Sequence, residues 1–353
     1  MSLIGTPGDI IWFGPKAVTI ANQVHVFVAT GDSRSARYGL NIKYATWNGK
    51  SWSNFTTLPD PPSKLEKGTV KFSNGFSFVR LLDNNRLQLV ALTEEQFVAR
   101  TTLEGTKWTS WDFVEDDEGD DGGFVDIPYV VSEGGDKLGY YAQRLSNYSI
   151  GYKQWDGSKF IPSGKAWLHI DIPGVHDGFQ DGLLVSSAPD LASQHLWLVS
   201  YNYTLVHATI RGDKLSSVES LGDTSAVLPF VSHRDSSSID ITGFLYESGK
   251  AGIRAFDGKK WGEWQAVKSN RQGARYSDVP PAIGFLPPNN LHVLDVTFVS
   301  KAGIVANHKN NGTWYPKLDT EDDLFQYYTP APSQATIFSH VRSMGQQVLK
   351  QWL

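Results

Sequence analysis

Apolar and polar residues alternate along much of this chain, as in His25-Val26-Phe27-Val28, with the period of two that places successive side chains on opposite faces of a strand. No run of ten or more residues combines a 3.6-residue apolar period with helix caps. In the first part of the chain the strand-like runs are AVTIANQ, VHVFVAT, LNIKYAT and SWSNFTTL. Farther on, GLLVSSAP, HLWLVSY, TLVHATI and KLSSVES repeat the same order. Between the third and fourth runs of a unit stands a turn built on Asn-Gly, Asp-Gly or a close variant, which supplies the backbone freedom a tight hairpin needs.

These turns recur. The segments YATWNGKSWSNF (44–55), ARTTLEGTKWTSW (99–111), YKQWDGSKF (152–160), IRAFDGKKWGEW (253–264) and NHKNNGTWYP (307–316) share an aromatic or apolar residue, a polar residue, a glycine and a following aromatic. VHATIRGDKLSSV (206–218) is a sixth copy without aromatics. The marker glycines Gly49, Gly105, Gly157, Gly212, Gly258 and Gly312 are about 53 residues apart on average. Four strands at that period make a propeller blade. The expectation is an all-β fold, one β-propeller domain over residues 1–353. Seven four-stranded blades are expected, the last closed by the N-terminal segment before Trp12 together with QYYTPAPS, ATIFSHVRS and QQVLKQWL. Six blades with extensions is the alternative.

Composition narrows the function classes. Thirty-two Lys and Arg face 37 Asp and Glu, a formal net charge of −5, which argues against a nucleic-acid partner. Cysteine is absent, which removes disulfides, thiolate metal sites and cysteine nucleophiles from consideration. MSLIGTPGDIIWFG lacks the basic and apolar regions of a secretory signal, and no stretch has the ~20 apolar residues of a membrane span. A cytoplasmic protein without membrane insertion is expected; the sequence leaves the oligomeric state, a homo-oligomer included, open.

The chemistry is less explicit. Tryptophans 47, 52, 108, 111, 155, 261, 264 and 314 fall at matched places in the repeats and read as packing residues between blades. The acidic run Glu115–Gly123 lacks the spacing of a calcium loop and reads as solvated, so no metal site is expected. Sequons at Asn54, Asn147, Asn202 and Asn311 carry no weight alone. No nucleophile elbow, phosphate loop or zinc helix is present, and no cofactor is expected.

The remaining candidate is the funnel lined by the first strand of each blade. The segments entering it hold Trp12, Phe13, Phe76, Phe124, Tyr129, Phe179, Phe230, Tyr276, Phe325, Tyr327 and Tyr328. The polar candidates there are Arg80, His176, Asp177, His233, Arg234, Asp278 and His340.

The unit LGYYAQRLSNYSIGYKQWDGSKF (138–160) resembles the blade repeat of the fungal fucose-specific lectins, in which a strand with Arg precedes a strand with Glu, then W-D-G. The resemblance implies a propeller with sugar sites at blade interfaces. Here the Arg position is occupied by His25, Gln88, Gly139, Trp197, Asp240, His292 and Thr336. The Glu position is occupied by Tyr44, Arg100, Tyr152, His207, Ile253, Asn307 and Leu349. No interface keeps the charged pair that would bind sugar hydroxyls directionally.

The chain, beginning MSLIGTPGDIIWFGPK, also resembles the fungal hetero-Diels-Alderases of tropolone sesquiterpenoid biosynthesis. That resemblance implies a cofactor-free 4+2 cycloaddition between a tropolone o-quinone methide and a humulene-type alkene. An apolar small-molecule substrate would then sit in one funnel pocket. Arg80, His176 and Tyr276 would polarise the quinone methide oxygen, and Trp12, Phe13, Phe179, Phe230, Tyr327 and Tyr328 would shape the pocket. The pericyclase is the leading expectation, a lectin with non-fucose specificity is the alternative, and a protein-interaction propeller is a third reading. One asymmetric pocket suits an enzyme; several equivalent blade interfaces suit a lectin.

Overall fold

The structure is a computed structural model. It describes residues 10–20, 23–32, 38–48, 50–81, 86–114, 123–144, 149–163, 167–173, 175, 179–188, 193–200, 204–223, 229–233, 237–245, 250–266, 282–286, 290–299, 303–310, 313–314, 337–343 and 346–352, with side chains for most of those between residues 16 and 266. Those residues form strands and turns, with no helix among them. None of them supplies a helix long and apolar enough to cross a membrane.

The first sheet contains β1 (Ile10–Ile20), β2 (Gln23–Gly31), β3 (Asn41–Trp47) and β4 (Thr56–Thr57). The second contains β5 (Phe72–Leu81), β6 (Arg86–Thr93) and β7 (Val98–Glu104), with β8 (Lys107–Trp108) and β9 (Asp112–Phe113) both beside β7. The third repeats that plan with β10 (Phe124–Ser132), β11 (Leu138–Arg144), β12 (Ile150–Trp155), β13 (Phe160–Ile161) and β14 (Leu168–Ile170). The fourth is β15 (Phe179–Ser187), β16 (Gln194–Ser200), β17 (Thr204–Arg211) and β18 (Lys214–Asp223). The fifth is β19 (Phe230–His233), β20 (Ile239–Leu245), β21 (Lys250–Phe256) and β22 (Gln265–Ala266). The sixth is β23 (Ala282–Leu286), β24 (Asn290–Val299), β25 (Gly303–Asn310) and β26 (Thr313–Trp314). The last described pair is β27 (Ile337–Ser343) with β28 (Gln346–Trp352).

Every pairing is antiparallel, and all but β7 with β9 and β12 with β14 join consecutive strands, as hairpin connections allow. The first strands meet around an axis: β1 packs beside β5, β5 beside β10, β10 beside β15, β19 beside β23, β23 beside β27, and β27 beside β1. This is an all-β propeller. Of the segment expected to close the last unit, residues 1–9 lie outside the described residues, while Ile10 and Ile11 pair with Gly31 and Thr30 in the first sheet. Hydrogen bonding to the adjacent β2 closes the shortest loop, while β1 meets β27 and β28 by packing. QYYTPAPS lies outside the described residues.

The W-D-G signature has a clear local cause. Asp156 Oδ1 accepts hydrogen bonds from the backbone N–H groups of Ser158 and Lys159, both 2.9 Å, and Asp257 does the same for Lys259 and Lys260. These bonds hold both carboxyls below the usual carboxylate range. Gly157 and Gly258 follow with φ of 102° and 91°, angles that a side chain disfavours.

The core is divided into layers between sheets. Phe27 and Leu40 of the first sheet pack with Phe76 and Leu89 of the second; Val90 and Leu92 of the second pack with Tyr140 and Phe160 of the third. Tyr141 and Tyr152 join Leu196 and Leu198, and Trp197 joins Ile239 and Ile241. Second strands such as β2 and β6 are therefore buried on both faces and read as nearly continuous apolar runs. Phe27 is fully buried, with the rings of Tyr44, Phe76, Phe78 and Trp108 at centroid distances of 5.4–6.2 Å. Phe27→Ala is expected to lower stability by about 3–5 kcal/mol, read as a drop in the urea unfolding midpoint. An unchanged midpoint would mean that the layer repacks around the cavity.

Candidate functional site

The inter-sheet layers are built to one plan. Each places a residue from the second strand, another two positions later, and one from the third strand against a side chain delivered by the hairpin of the following sheet. Between the first and second sheets these are His25, Phe27, Tyr44 and Trp108, with Trp108 5.8 Å from Tyr44 and 5.9 Å from Phe27. Aromatic rings close that interface. Between the fourth and fifth sheets His195, Trp197 and His207 meet Trp261, and Trp197 is fully buried against His207 at 4.3 Å. Aromatic bulk closes this interface as well.

The pairing corrects one sequence position. His25 pairs with Thr46, Gln88 with Thr102 and Gly139 with Gln154, and in the fourth sheet the matching pair is His195 with Thr209. The residue at the lectin-type Arg position there is His195, two before Trp197. The surplus polar residues in Ser-Gln-His-Leu-Trp obscure the register in the sequence.

Between the third and fourth sheets Gly139 leaves room that the Glu133 carboxylate occupies. Glu133 accepts hydrogen bonds from the hydroxyls of Tyr152 (2.9 and 3.0 Å) and Tyr141 (3.3 Å) and from Gln154 Nε2 (2.6 Å). A Cβ at position 139 would collide with the Glu133 carboxylate. Burial and this carboxylate hold both tyrosine hydroxyls well above their ordinary pKa, so they remain donors.

The interface between the second and third sheets stays open. A cavity of about 320 Å³ lies there, at the lower end of small-molecule sites. Gln88, Arg100, Asp112 and Trp155 line it, with Arg86, Asp136, Thr101, Thr102, Thr109 and Ser110 at its edges. Arg100 sits on β7 with its guanidinium 4.6 Å from the ring centroids of both Trp155 and Phe160. Its Nη2 donates to Asp112 Oδ2 at 2.8 Å, and its Nη1 donates to the Tyr140 hydroxyl at 3.3 Å. Tyr140 in turn donates to Gln88 Oε1, and Gln88 Nε2 donates to Thr102 at 3.3 Å. Burial pushes the Tyr140 hydroxyl up to about 12 against the pull of Arg100, which keeps it a neutral donor.

The Arg100 side chain is 13% exposed while that of Asp112 is 66% exposed, so the cation is fixed in the wall and the carboxylate reaches into water. Two arginines and two aspartates around one cavity present donors and acceptors without net charge. This arrangement can hold a hydroxyl-rich neutral molecule against an indole edge. The sequence contained the signal, since Gln88 and Arg100 occupy the two lectin-type positions with the arginine moved to the third strand.

The funnel candidates are distributed differently. Arg80 is exposed near the hairpin end of β5, next to the cavity-lining Leu81 and not itself in the lining. Trp12, Phe13, Phe179 and Phe230 belong to first strands of their sheets, and their side chains lie outside the described residues, as do His176, Tyr276, Tyr327 and Tyr328 altogether. Phe76, Phe124 and Tyr129 are buried packing residues. Of the tryptophans read as packing, Trp155 additionally lines the cavity. No group of three or more metal-ligating side chains suited to an ion occurs among the described residues.

No family model matches the chain, and no curated protein matches it. Solved structures share its fold. The BP39L lectin from Burkholderia pseudomallei superposes with a TM-score of 0.60 at 12% identity, covering 84% of this chain and 80% of the lectin. The NanB sialidase from Streptococcus pneumoniae gives 0.56 at 13% identity over 91% of this chain and 71% of the sialidase. The SapL1 lectin in complex with alpha methyl fucoside gives 0.54 at 14% identity over 88% and 96%. At these identities the likeness is one of fold.

The closed interface between the fourth and fifth sheets has a measurable consequence. His195 Nδ1 and His207 Nε2 are 2.9 Å apart, and His233 Nε2 lies 3.0 Å from Ser186 Oγ. Burial, then the neighbouring His195 and His233, lowers His207 to about 3; burial lowers His233 to about 4. The unfolded chain binds protons at these histidines below about 6.5 whereas the folded one does not, so stability is present above that pH and is lost as pH falls toward 4. His207 alone is expected to remove on the order of 2 kcal/mol between pH 7 and pH 5. Urea unfolding at the two pH values should show this fall, and His207→Phe should reduce it; an unchanged slope would refute the assignment.

Proposed function

We propose that this chain is a carbohydrate-binding propeller of seven units, with β27 and β28 belonging to the seventh, and that the cavity between its second and third sheets holds one neutral sugar residue. The observation that carries this reading is the placement of Arg100, Asp112 and Gln88 around a cavity walled by Trp155; in the other described layers rings or the Glu133 carboxylate occupy the matching place, so one site stands where a lectin repeat would have several. A sugar offers alternating hydroxyls as donors and acceptors and an apolar C–H face. Arg100 supplies directional donors that need no reorganisation, because Asp112, Tyr140 and two aromatic rings already fix its guanidinium. Asp112 supplies the exposed acceptor.

The fold neighbours support this class: two are lectins, one of them in complex with alpha methyl fucoside. The charge-neutral lining favours a neutral sugar over an acidic one. The rearranged Gln88 and Arg100 positions favour a sugar other than fucose. The hetero-Diels-Alderase reading rests on the funnel side chains Trp12, Phe13, Phe179, Phe230, Tyr327 and Tyr328 and needs an apolar axial pocket.

Calorimetry against a panel of neutral monosaccharides, with a flat terpenoid in parallel, tests both readings. One sugar site per chain is expected, weakened at least ~10-fold in Arg100→Ala and in Trp155→Ala, which is about 1.4 kcal/mol. Circular dichroism checks that both variants are folded. Absence of sugar binding, or sugar binding indifferent to both substitutions, would overturn the site; one apolar ligand per chain in its place would support the cycloaddition reading.

A further inference from the structure

The hydrogen bonds behind the cavity between the second and third sheets run in one direction, and chemistry fixes that direction. A guanidinium has no acceptor, so the Tyr140 hydroxyl that receives Arg100 Nη1 at 3.3 Å must give its own single proton elsewhere. It gives that proton to Gln88. Gln88 therefore turns Oε1 toward Tyr140, and its amide nitrogen takes the other side, where Nε2 donates to Thr102 Oγ1 at 3.3 Å. Nε2 keeps a second N–H. Arg100 spends Nε and Nη2 on Asp112 Oδ2, at 3.3 and 2.8 Å, and Nη1 on Tyr140, which leaves two of its five guanidinium N–H groups for a ligand. Gln88 and Arg100 thus present N–H groups to the cavity and no acceptor.

The strong acceptor stands beside this wall, in water. Asp112 receives both Arg100 bonds on Oδ2 and the Phe113 N–H on Oδ1 at 2.9 Å, yet its side chain is 66% exposed. Leu81, Leu138 and Trp155 add apolar surface to the lining. A sugar hydroxyl turned toward Gln88 and Arg100 would satisfy them with its oxygen but leave its own proton facing N–H groups. A carbonyl oxygen carries no proton and suits them better. A carboxylate would suit them too, but would bring a second negative charge beside Asp112. An acetamido group meets all three surfaces: its carbonyl accepts from Arg100 and Gln88, its N–H is offered to Asp112, and its methyl packs on the leucine and indole surface.

We propose that the cavity selects a sugar carrying an N-acetyl group, and that Gln88, oriented by Tyr140, is the residue that sets this preference. The proposal rests on the carbohydrate reading of the same cavity and narrows it to N-acetylhexosamines. Tyr140 is a positioning residue: it is 1% exposed and acts on the ligand only through the side chains it holds. Gln88 stands at the lectin-type Arg position, where an amide held by its oxygen offers a neutral donor in place of a cation.

Calorimetry on the intact wild-type protein compares N-acetylglucosamine and N-acetylgalactosamine with glucose, galactose, glucosamine and glucuronate. At least one N-acetyl sugar is expected to bind ~10-fold or more tightly than its parent sugar, with glucosamine and glucuronate weaker than it. Gln88→Glu, which replaces the N–H donor with an acceptor on a side chain of the same length, should cut that advantage to about 2-fold or less. Tyr140→Phe should reduce it as well, because nothing then holds Gln88 Oε1 away from the cavity. The ratio between the two sugars is the readout, since a general loss of structure weakens both alike. If N-acetyl and parent sugars bind equally, or glucuronate binds most tightly, this selectivity is wrong while the carbohydrate reading stands. A ratio unchanged in Gln88→Glu removes the role given to Gln88, and absence of all sugar binding removes both readings. The wild-type comparison decides the preference even if a variant fails to fold.

Discussion

The structure depends on each sheet being covered on both faces by its neighbours, with a side chain from the third-to-fourth-strand hairpin of one sheet filling the layer behind it. Trp108, Phe160, Leu215 and Trp261 perform this task in successive layers. Because second strands are buried on both faces, alternation gives way to continuous apolar runs, and the core is distributed as layers instead of one mass. What stands opposite the delivered side chain then determines whether a layer is closed or open. Phe27 and Tyr44 meet Trp108 as rings and close the first; Trp197 and His207 close the fourth.

The second layer differs because its third strand carries a cation. A buried guanidinium costs several kcal/mol unless it is compensated. Arg100 is compensated three ways: by Asp112 at 2.8 Å, by the Tyr140 hydroxyl, and by the faces of Trp155 and Phe160. The same layer buries Lys153 beneath Phe160 and Trp167 and Arg144 against Phe124. Aromatic faces that elsewhere exclude ligands here hold cations, and the space that an aromatic third-strand residue would fill remains a cavity. The third layer solves the converse problem, since Glu133 is satisfied by two tyrosines and a glutamine over the gap left by Gly139. Its charge is spent inside the sheet that carries it.

The closed fourth layer and Lys16 of β1 show the range of environments that one repeat can host. His195 lies in ring contact with both His207 and His233, and burial lowers the pKa of His207 and of His233. Lys16, by contrast, is held at a bulge with a carboxylate in its field and two aromatic rings beside it. Both arise at positions where the repeat tolerates substitution, because the hydrogen-bonded ladder fixes the backbone regardless of the side chain it carries.

By itself the sequence determined the repeat, the antiparallel strands and the Asx-glycine turns, because these rest on interactions between residues close in the chain: Asp156 with Ser158 and Lys159, or Trp47 with Trp52. It also marked Gln88 and Arg100 as departures from a lectin-type pattern. It did not determine that these two enclose a cavity, since Tyr140 and Phe160 are 52 and 60 residues from Gln88 and Arg100 and meet them only when two sheets pack. Nor did it fix the register that puts His195 instead of Trp197 at the Arg-type position, or the bulge that brings Lys16 to the rings of Phe76 and Tyr129. Those features depend on which faces of separate sheets come together, and local propensity carries no information about that choice; only the tertiary structure decided it.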